Sequence, residues 1–290
     1  MSILLDCNFF LYYGKIYAFM VKMRTEIIAK SKAQLKKIIL EEILLRGNEC
    51  SLNHIDVSNV ADMSWLFHQS EFNGDISKWN VSNVKNMGHM FYKAKFNQDI
   101  SKWDVSRVNS MEFMFFATEF NQDISNWNVS AVQKMDGMFS HSIFNQDISK
   151  WNVSSVVKMN DMFNASCFNQ DISRWNISSV EDMSYMFCQS KFNGDISNWD
   201  VSNVIKMDFM FVDSWFNQDI SNWSPIKLKS KINIFIGSQV AKKDTIPYWA
   251  MVNPVFLEQS IYAYKLQQQL NIKLTPLLVG KPDKAGIIKI

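Results

Sequence analysis

Asp75, Asp99, Asp123, Asp147, Asp171, Asp195 and Asp219 stand 24 residues apart along the chain. Carboxylates aligned in a column are how some repeat proteins bind calcium, so a metal ladder is the first chemistry to consider. The oxygen count argues against it. Each aspartate sits between a Gly or Gln and an Ile, without the further ligands that a Ca²⁺ shell of about six to eight oxygens needs. The expected role is structural: each carboxylate accepts hydrogen bonds from turn amides, beside a column formed by Asn73 and its equivalents. Neither a metal nor a cofactor is predicted.

Catalytic constellations are equally thin. His54, His68, His89 and His141 fall in unrelated phases of the spacing, and no Ser, Cys or carboxylate stands beside any of them as nucleophile with base. A phosphate-cradling glycine loop and an HExxH motif are both missing. Cys7, Cys50, Cys167 and Cys188 share no CxxC spacing, which predicts free thiols and no zinc site, redox motif or disulfide framework. The chain is expected not to be an enzyme. Asn80, Asn128, Asn152, Asn164 and Asn176 match the glycosylation sequon. All but Asn164 are by-products of the repeat, whose Val and Ser have core and capping roles.

A repeat positions these residues. Phe72, Phe96, Phe120, Phe144, Phe168, Phe192 and Phe216 each open the string Phe-Asn-(Gly/Gln)-Asp-Ile-Ser, and a tryptophan follows each, from Trp79 to Trp223. The consensus is FNxDISxWxVSxVxxMxxMF. It absorbs thirteen of 17 Met, seven of 10 Trp and fourteen of 22 Phe, so the skewed composition is a consequence of periodicity. A partial first repeat carries Leu52, Ile55, Val57, Val60, Met63, Leu66 and Phe67 in register. A degenerate last one carries Leu228, Ile234 and Phe235, with Pro225 where a strand valine is expected. At 290 residues, 47% apolar and 20% charged, the chain can bury a sizeable core, and 9 Gly with 5 Pro exclude a collagen-like one.

Spacing within the repeat predicts local structure. Ile76, Trp79 and Val81 read as the strand of a leucine-rich repeat, whereas Val84, Met87, Met90 and Phe91 form one stripe of a short helix that Ser82 would cap. The expected fold class is an α/β repeat, with one short strand and one short helix per 24-residue coil and helical caps at both ends. Stacking would place Trp on Trp, Met on Met and Phe on Phe.

The period and the recurring FNQDISxWxVS and VxxMxxMF strings over residues 50–236 resemble the BspA-like leucine-rich-repeat surface proteins, a group that includes the mycoplasma lipoprotein-type repeat. The resemblance implies a right-handed solenoid and a bacterial or protist interaction protein, often displayed on the cell surface. It implies no catalytic residues.

The organisation predicted is an apolar extension at 1–24, a strand-helix cap at 25–49, a solenoid of about eight coils at 50–236, a helical cap at 237–274 and a frayed tail at 275–290. In the extension Asp6 and Lys15 interrupt the apolar patches and no Ala-x-Ala site follows. It reads as a secretion signal or membrane anchor, or as an upstream extension with Met20 or Met23 as the start. Localisation stays open between the cell surface, by resemblance, and the cytoplasm, by the lack of a clear signal. In the first cap, Glu26 to Ala29 is a strand candidate. Ser31 and Gln34 form a capping box ahead of Leu35, Ile38, Ile39 and Ile43, and Gly47 stops the helix. At the other end Asn253 and Pro254 predict a helix running towards Leu270.

A formal net charge of +2 is too balanced for a surface devoted to nucleic acid. The charge is unevenly divided: +4 over residues 22–46, −9 over 47–224 and +7 over 225–290. The basic ends read either as contacts for an anionic surface or as solvated cap faces. Between Ser and Trp of each repeat, Lys78, Lys102, Lys150 and Arg174 join Asn126, Asn198 and Asn222 in a narrow strip expected to line a concave face beside the strand ladder. Opposite, the outer helix positions and return loops differ in every copy and hold Tyr92, Phe113, Phe116, Ile143, Tyr185, Phe209 and Trp215. Exposed aromatics are the residue type that dominates protein interfaces, though these can equally pack on neighbouring loops. The candidate partner-binding residues are therefore Lys78, Lys102, Lys150, Arg174, Phe113, Phe116, Tyr185 and Trp215. The function expected is a non-enzymatic, monomeric binding protein for a protein or glycan, with a structural or adhesive array as the alternative. Nucleic acid is not expected as a partner, and membrane contact depends on the apolar extension.

Overall fold

The computed structural model describes residues 27–242 and 246–251. The extension at 1–24, the helix expected from Asn253 and the tail at 275–290 lie outside the described residues. The described chain opens with β1 (Ile27–Ile28), which pairs in parallel with β2 (Ile55–Asp56), Ile27 opposite Ile55. Between them runs α1 (Lys32–Arg46). Ser31 caps it by accepting the Gln34 amide at 3.3 Å, and the Gln34 side chain returns the favour to the Lys30 amide at 2.9 Å. Gly47 closes it at φ 85°, its amide donating to the Ile43 carbonyl at 2.8 Å. Leu35 and Ile39 are buried against the first repeat.

Successive repeats lie side by side. At each of seven interfaces, from Asp62 against Asn86 to Lys206 against Ser230, one residue forms a parallel bridge 24 positions from its partner. Four amides per repeat then donate to four carbonyls of the next: those of Met87, His89, Phe91 and Lys93 reach Ser110, Glu112, Met114 and Phe116 at 2.7–3.0 Å. Inside this ladder, like stacks on like. Phe91 and Phe115 lie 5.6 Å apart with nearly parallel rings, and Trp79 lies 6.5 Å from Trp103. Each indole Nε1 donates to a carbonyl of the preceding repeat, that of Leu52 for Trp79 and of an isoleucine for the rest, as Trp103 does to Ile76 at 3.2 Å, so a buried polar atom is satisfied by the stack itself.

Two local expectations are corrected. The stripe from Val84 to Phe91 is not helical. A helix would return each amide to its own chain four residues back; here the next repeat presents carbonyls at matching intervals and takes alternate amides instead. Left-handed residues make this possible. Among the described residues fourteen non-glycine residues with positive φ, among them His89 at 58° and Lys93 at 53°, occur at the same two phases of each repeat, joined there by Gly137 and Gly237. Three-residue turns, such as the Met90 amide on the Met87 carbonyl, keep Met87, Met90 and Phe91 inward, so a helical-looking pattern arises without a helix. The segment from Ile76 to Val84 is likewise not a strand. It holds two such turns, Trp79 to Ile76 and Val84 to Val81, and no backbone-to-backbone bond to a neighbouring repeat. No amide is needed at the Val81 position, which is why Pro225 fits there in the last repeat.

The aspartates and asparagines do what their positions suggest. Asp99 Oδ1 accepts the Ser101 amide at 2.8 Å, which holds its carboxyl below the usual carboxylate range. Asn73 Oδ1 accepts the Asn97 amide at 2.8 Å, and the pattern continues to Asn217. At the far end come α2 (Gln239–Lys242) and α3 (Tyr248–Met251). Trp249 of α3 stacks 5.8 Å from Trp223 and donates Nε1 to the Ile220 carbonyl at 3.0 Å, extending the tryptophan column by one member.

Candidate functional site

The ladder segment has an inward set and an outward set of side chains. Outward residues at the first left-handed phase are Trp65, His89, Phe113, Gly137, Asp161, Tyr185, Phe209 and Asn233. Three residues on, the column reads His68, Tyr92, Phe116, Ser140, Asn164, Cys188, Val212 and Ile236. Positive φ turns the first column out while its amides stay in the ladder. The backbone strain is met by four inter-repeat bonds per copy.

At the first repeats these two columns merge into one aromatic strip. Trp65 and His89 stack at 3.9 Å and 9°, His89 and Phe113 at 5.1 Å, His68 and Tyr92 at 5.3 Å, and Tyr92 and Phe116 at 4.6 Å and 7°. His141 closes the strip at 5.3 Å from Phe116, and the Lys93 ammonium lies 5.5 Å from the Tyr92 ring centre. Phe113 and Phe116 are half-buried by these contacts, and Trp65 is 44% exposed. Gly137 ends the strip: a Cβ there would run into the Phe113 ring. Beyond a polar interval of Asp161 and Asn164, Tyr185 stacks 4.9 Å from Phe209.

The other predicted residues lie apart from this face. Lys78, Lys102, Lys150 and Arg174 are exposed, but they occupy the turn that ends at the tryptophan and not a flank of the ladder. The reason is the relocation of the ladder to the Met–Phe segment. Trp215 is 61% exposed on the return loop, where its amide donates to Ser190. The structure thus joins Phe113 with Phe116, leaves Tyr185 and Trp215 separate, and keeps the basic strip elsewhere.

Trp65, His68, His89 and His141 are strip residues that reading each histidine for a catalytic neighbour does not find. Their phases differ, yet they fall on one seven-residue segment, and aligning the copies at 24 residues would have put Trp65 and His89 above Phe113. Burial lowers the His89 pKa, outweighing the Glu112 charge, so the ring is held neutral in its stack. Beside the strip, burial pushes Asp136 up to about 6, and its Oδ2 has no hydrogen-bond partner. Glu112 on the preceding repeat accepts from Ser110 at 2.8 Å and lies 3.7 Å from Lys134.

One further cluster forms under α1. Glu42 is buried, pairs with Arg46 at 2.8 Å and meets His54 at 3.4 Å, with the Cys50 thiol 4.0 Å from the Glu42 carbonyl oxygen. Burial raises the Cys50 pKa, which keeps it a thiol, and Cys188 is pushed up to about 11 by burial and by Asp213 and Asp161. Cys50, Cys167 and Cys188 are all free. Among the described residues no group of three or more His, Cys, Asp or Glu is placed to hold a metal ion, and no helix is long and apolar enough to cross a membrane.

Neither a curated protein nor a solved structure matches the chain. A family model does, at residues 40–143, 118–214 and 188–271, which together take in the whole ladder and its flanks. This is a bacterial repeat protein: the chain belongs to the family described as Mycoplasma protein of unknown function, DUF285.

Proposed function

We propose that the chain is a non-enzymatic binding protein, a right-handed, leucine-rich-repeat-like solenoid of the BspA-like kind that presents its ladder face to a partner protein. One observation carries the reading. Inward positions keep Met, Met and Phe from Met87 to Phe211, while the outward positions of the same segment change in every repeat and collect Trp, His, Tyr and Phe at one end. Residues that no longer serve the core are free to serve recognition, and half-exposed aromatics are the side chains that anchor interfaces.

Ring geometry favours a protein over a glycan. The strip rings face one another along the column, so their edges point outward, whereas a sugar docks on an open ring face. The basic strip at Lys78, Lys102, Lys150 and Arg174 is a secondary contact under this reading, and Tyr185 with Trp215 extends the surface. The chain acts as a monomer.

The test is a pull-down from the native cell with paired substitutions. Specific recognition requires that Phe113→Ala with Phe116→Ala abolish capture of the partner. Tolerance of that pair, and of Lys102→Ala with Lys150→Ala, would point instead to an adhesive array in which length matters more than any contact. Loss of turnover on changing one histidine or aspartate would overturn both.

A further inference from the structure

The ladder is polar along its length, because at every interface the four amides belong to the earlier repeat and the four carbonyls to the later one. Among the described residues no further repeat follows to take the amides of the last one. Those of Asn233, Phe235 and Gly237, the equivalents of Phe209, Phe211 and Asp213, meet no acceptor among the described residues. An open edge of this kind is a template for pairing.

Among the described residues capping at this end is partial. Trp249 covers the tryptophan column, and Lys231 holds it by donating Nζ to the Trp249 and Ala250 carbonyls at 3.1 and 2.6 Å. Beside the edge, Ile232 and Ile236 remain 57% and 56% exposed. Residues 225–242 carry Lys227, Lys229, Lys231 and Lys242 and no acidic residue. Asp208 on the preceding repeat is engaged with the Ser230 hydroxyl and the Ile232 amide. A second copy stacked head to tail would need the place that Trp249 fills. A single extended segment needs only the ladder edge.

We propose that this edge binds an extended, acidic and apolar segment of a partner protein as an added parallel strand. Its alternate carbonyls accept from Asn233, Phe235 and Gly237, its apolar side chains cover Ile232 and Ile236, and its carboxylates face Lys227 and Lys229. The site is separate from the aromatic strip and stands or falls without it.

The experiment is amide hydrogen exchange by NMR on the full chain, with a synthetic peptide copying Glu181 to Gln189, an acidic ladder segment of this protein, carrying Cys188→Ser. In the free chain Asn233, Phe235 and Gly237 should exchange at least about tenfold faster than Phe209, Phe211 and Asp213, and the peptide should slow them about tenfold. A peptide with Glu181→Lys and Asp182→Lys should have no effect. Ile232→Asp and Ile236→Asp in the chain should remove the slowing without moving the unfolding midpoint. The proposal is overturned if the three amides are already slow in the free chain, if their protection rises with protein concentration, or if the acidic peptide leaves them unchanged.

Discussion

Met135, Met138 and Phe139 share one short segment with Asp136, Gly137 and Ser140, yet the two sets live under different constraints. An inward residue has an identical neighbour above and below it: Phe139 lies 5.8 Å from Phe115 and 6.0 Å from Phe163. Changing one such residue spoils two contacts at once, so the column stays uniform. An outward residue has its backbone held by the ladder but no identical side chain above and below it, whether it is exposed like Tyr185 or buried like Asp136 and Ser140. In that set the chain places Glu112, Asp136, Asn160, Ser184 and Asp208 at a single phase. The lesson is that the ladder separates stability from variation: the backbone and the inner columns hold the stack together, and the outer columns are left free to vary.

The largest expected effect comes from breaking an inner column. Trp151→Ala removes a ring that is 4% exposed, its bond to the Ile124 carbonyl and its contact with Phe139. Urea denaturation should show a loss of about 3–5 kcal/mol. A loss below that of an outward substitution would erase the distinction between the two sets.

Asp136 tests the outer set from the opposite direction. Its folded pKa is raised to about 6 from 3.8, mainly by burial, so the proton is bound more tightly in the folded state. Its contribution is most favourable below about pH 4 and is lost as pH rises through 6. Asp136→Asn, matching Asn160 one repeat on, should therefore stabilise the chain at pH 7 by about 1–3 kcal/mol, and the gain should shrink towards pH 4. Equal gains at both values would show that the carboxylate is not the cause.

A smaller cost is expected at the end of the strip. Gly137→Ala adds a Cβ at φ 54° against the Phe113 ring and should cost about 1–2 kcal/mol by thermal unfolding. Combining it with Phe113→Ala should recover the part due to the collision. The smallest effect belongs to Lys102→Ala with Lys150→Ala, both exposed, which should leave stability within about 0.5 kcal/mol.

Reading by period located the inner columns well, because a strict 24-residue recurrence of Trp, Met and Phe has few packings other than a stack. The place of the ladder is not legible in the sequence, for a physical reason. An i, i+3, i+6, i+7 stripe is shared by a helix and by consecutive three-residue turns, and what separates them is the direction of the amides, which the neighbouring repeat decides. The same ambiguity puts the basic strip on the wrong side of the ladder. Phe113, Phe116 and Tyr185 are legible as variable aromatics, whereas His68, His89 and His141 emerge as neighbours only when the copies are aligned by column. Trp249 is not legible from the period, because it comes 26 residues after Trp223 instead of 24.

The most direct test is the scalar coupling transmitted across the hydrogen bond, measured between amide nitrogen and carbonyl carbon on the deuterated full chain. Phe139 should couple to the Met162 carbonyl of the next repeat, and Phe115 and Phe163 to those of Met138 and Met186. Coupling of the Phe139 amide to the Met135 carbonyl, as in a helix, with none to Met162, would contradict the stack on which the account rests.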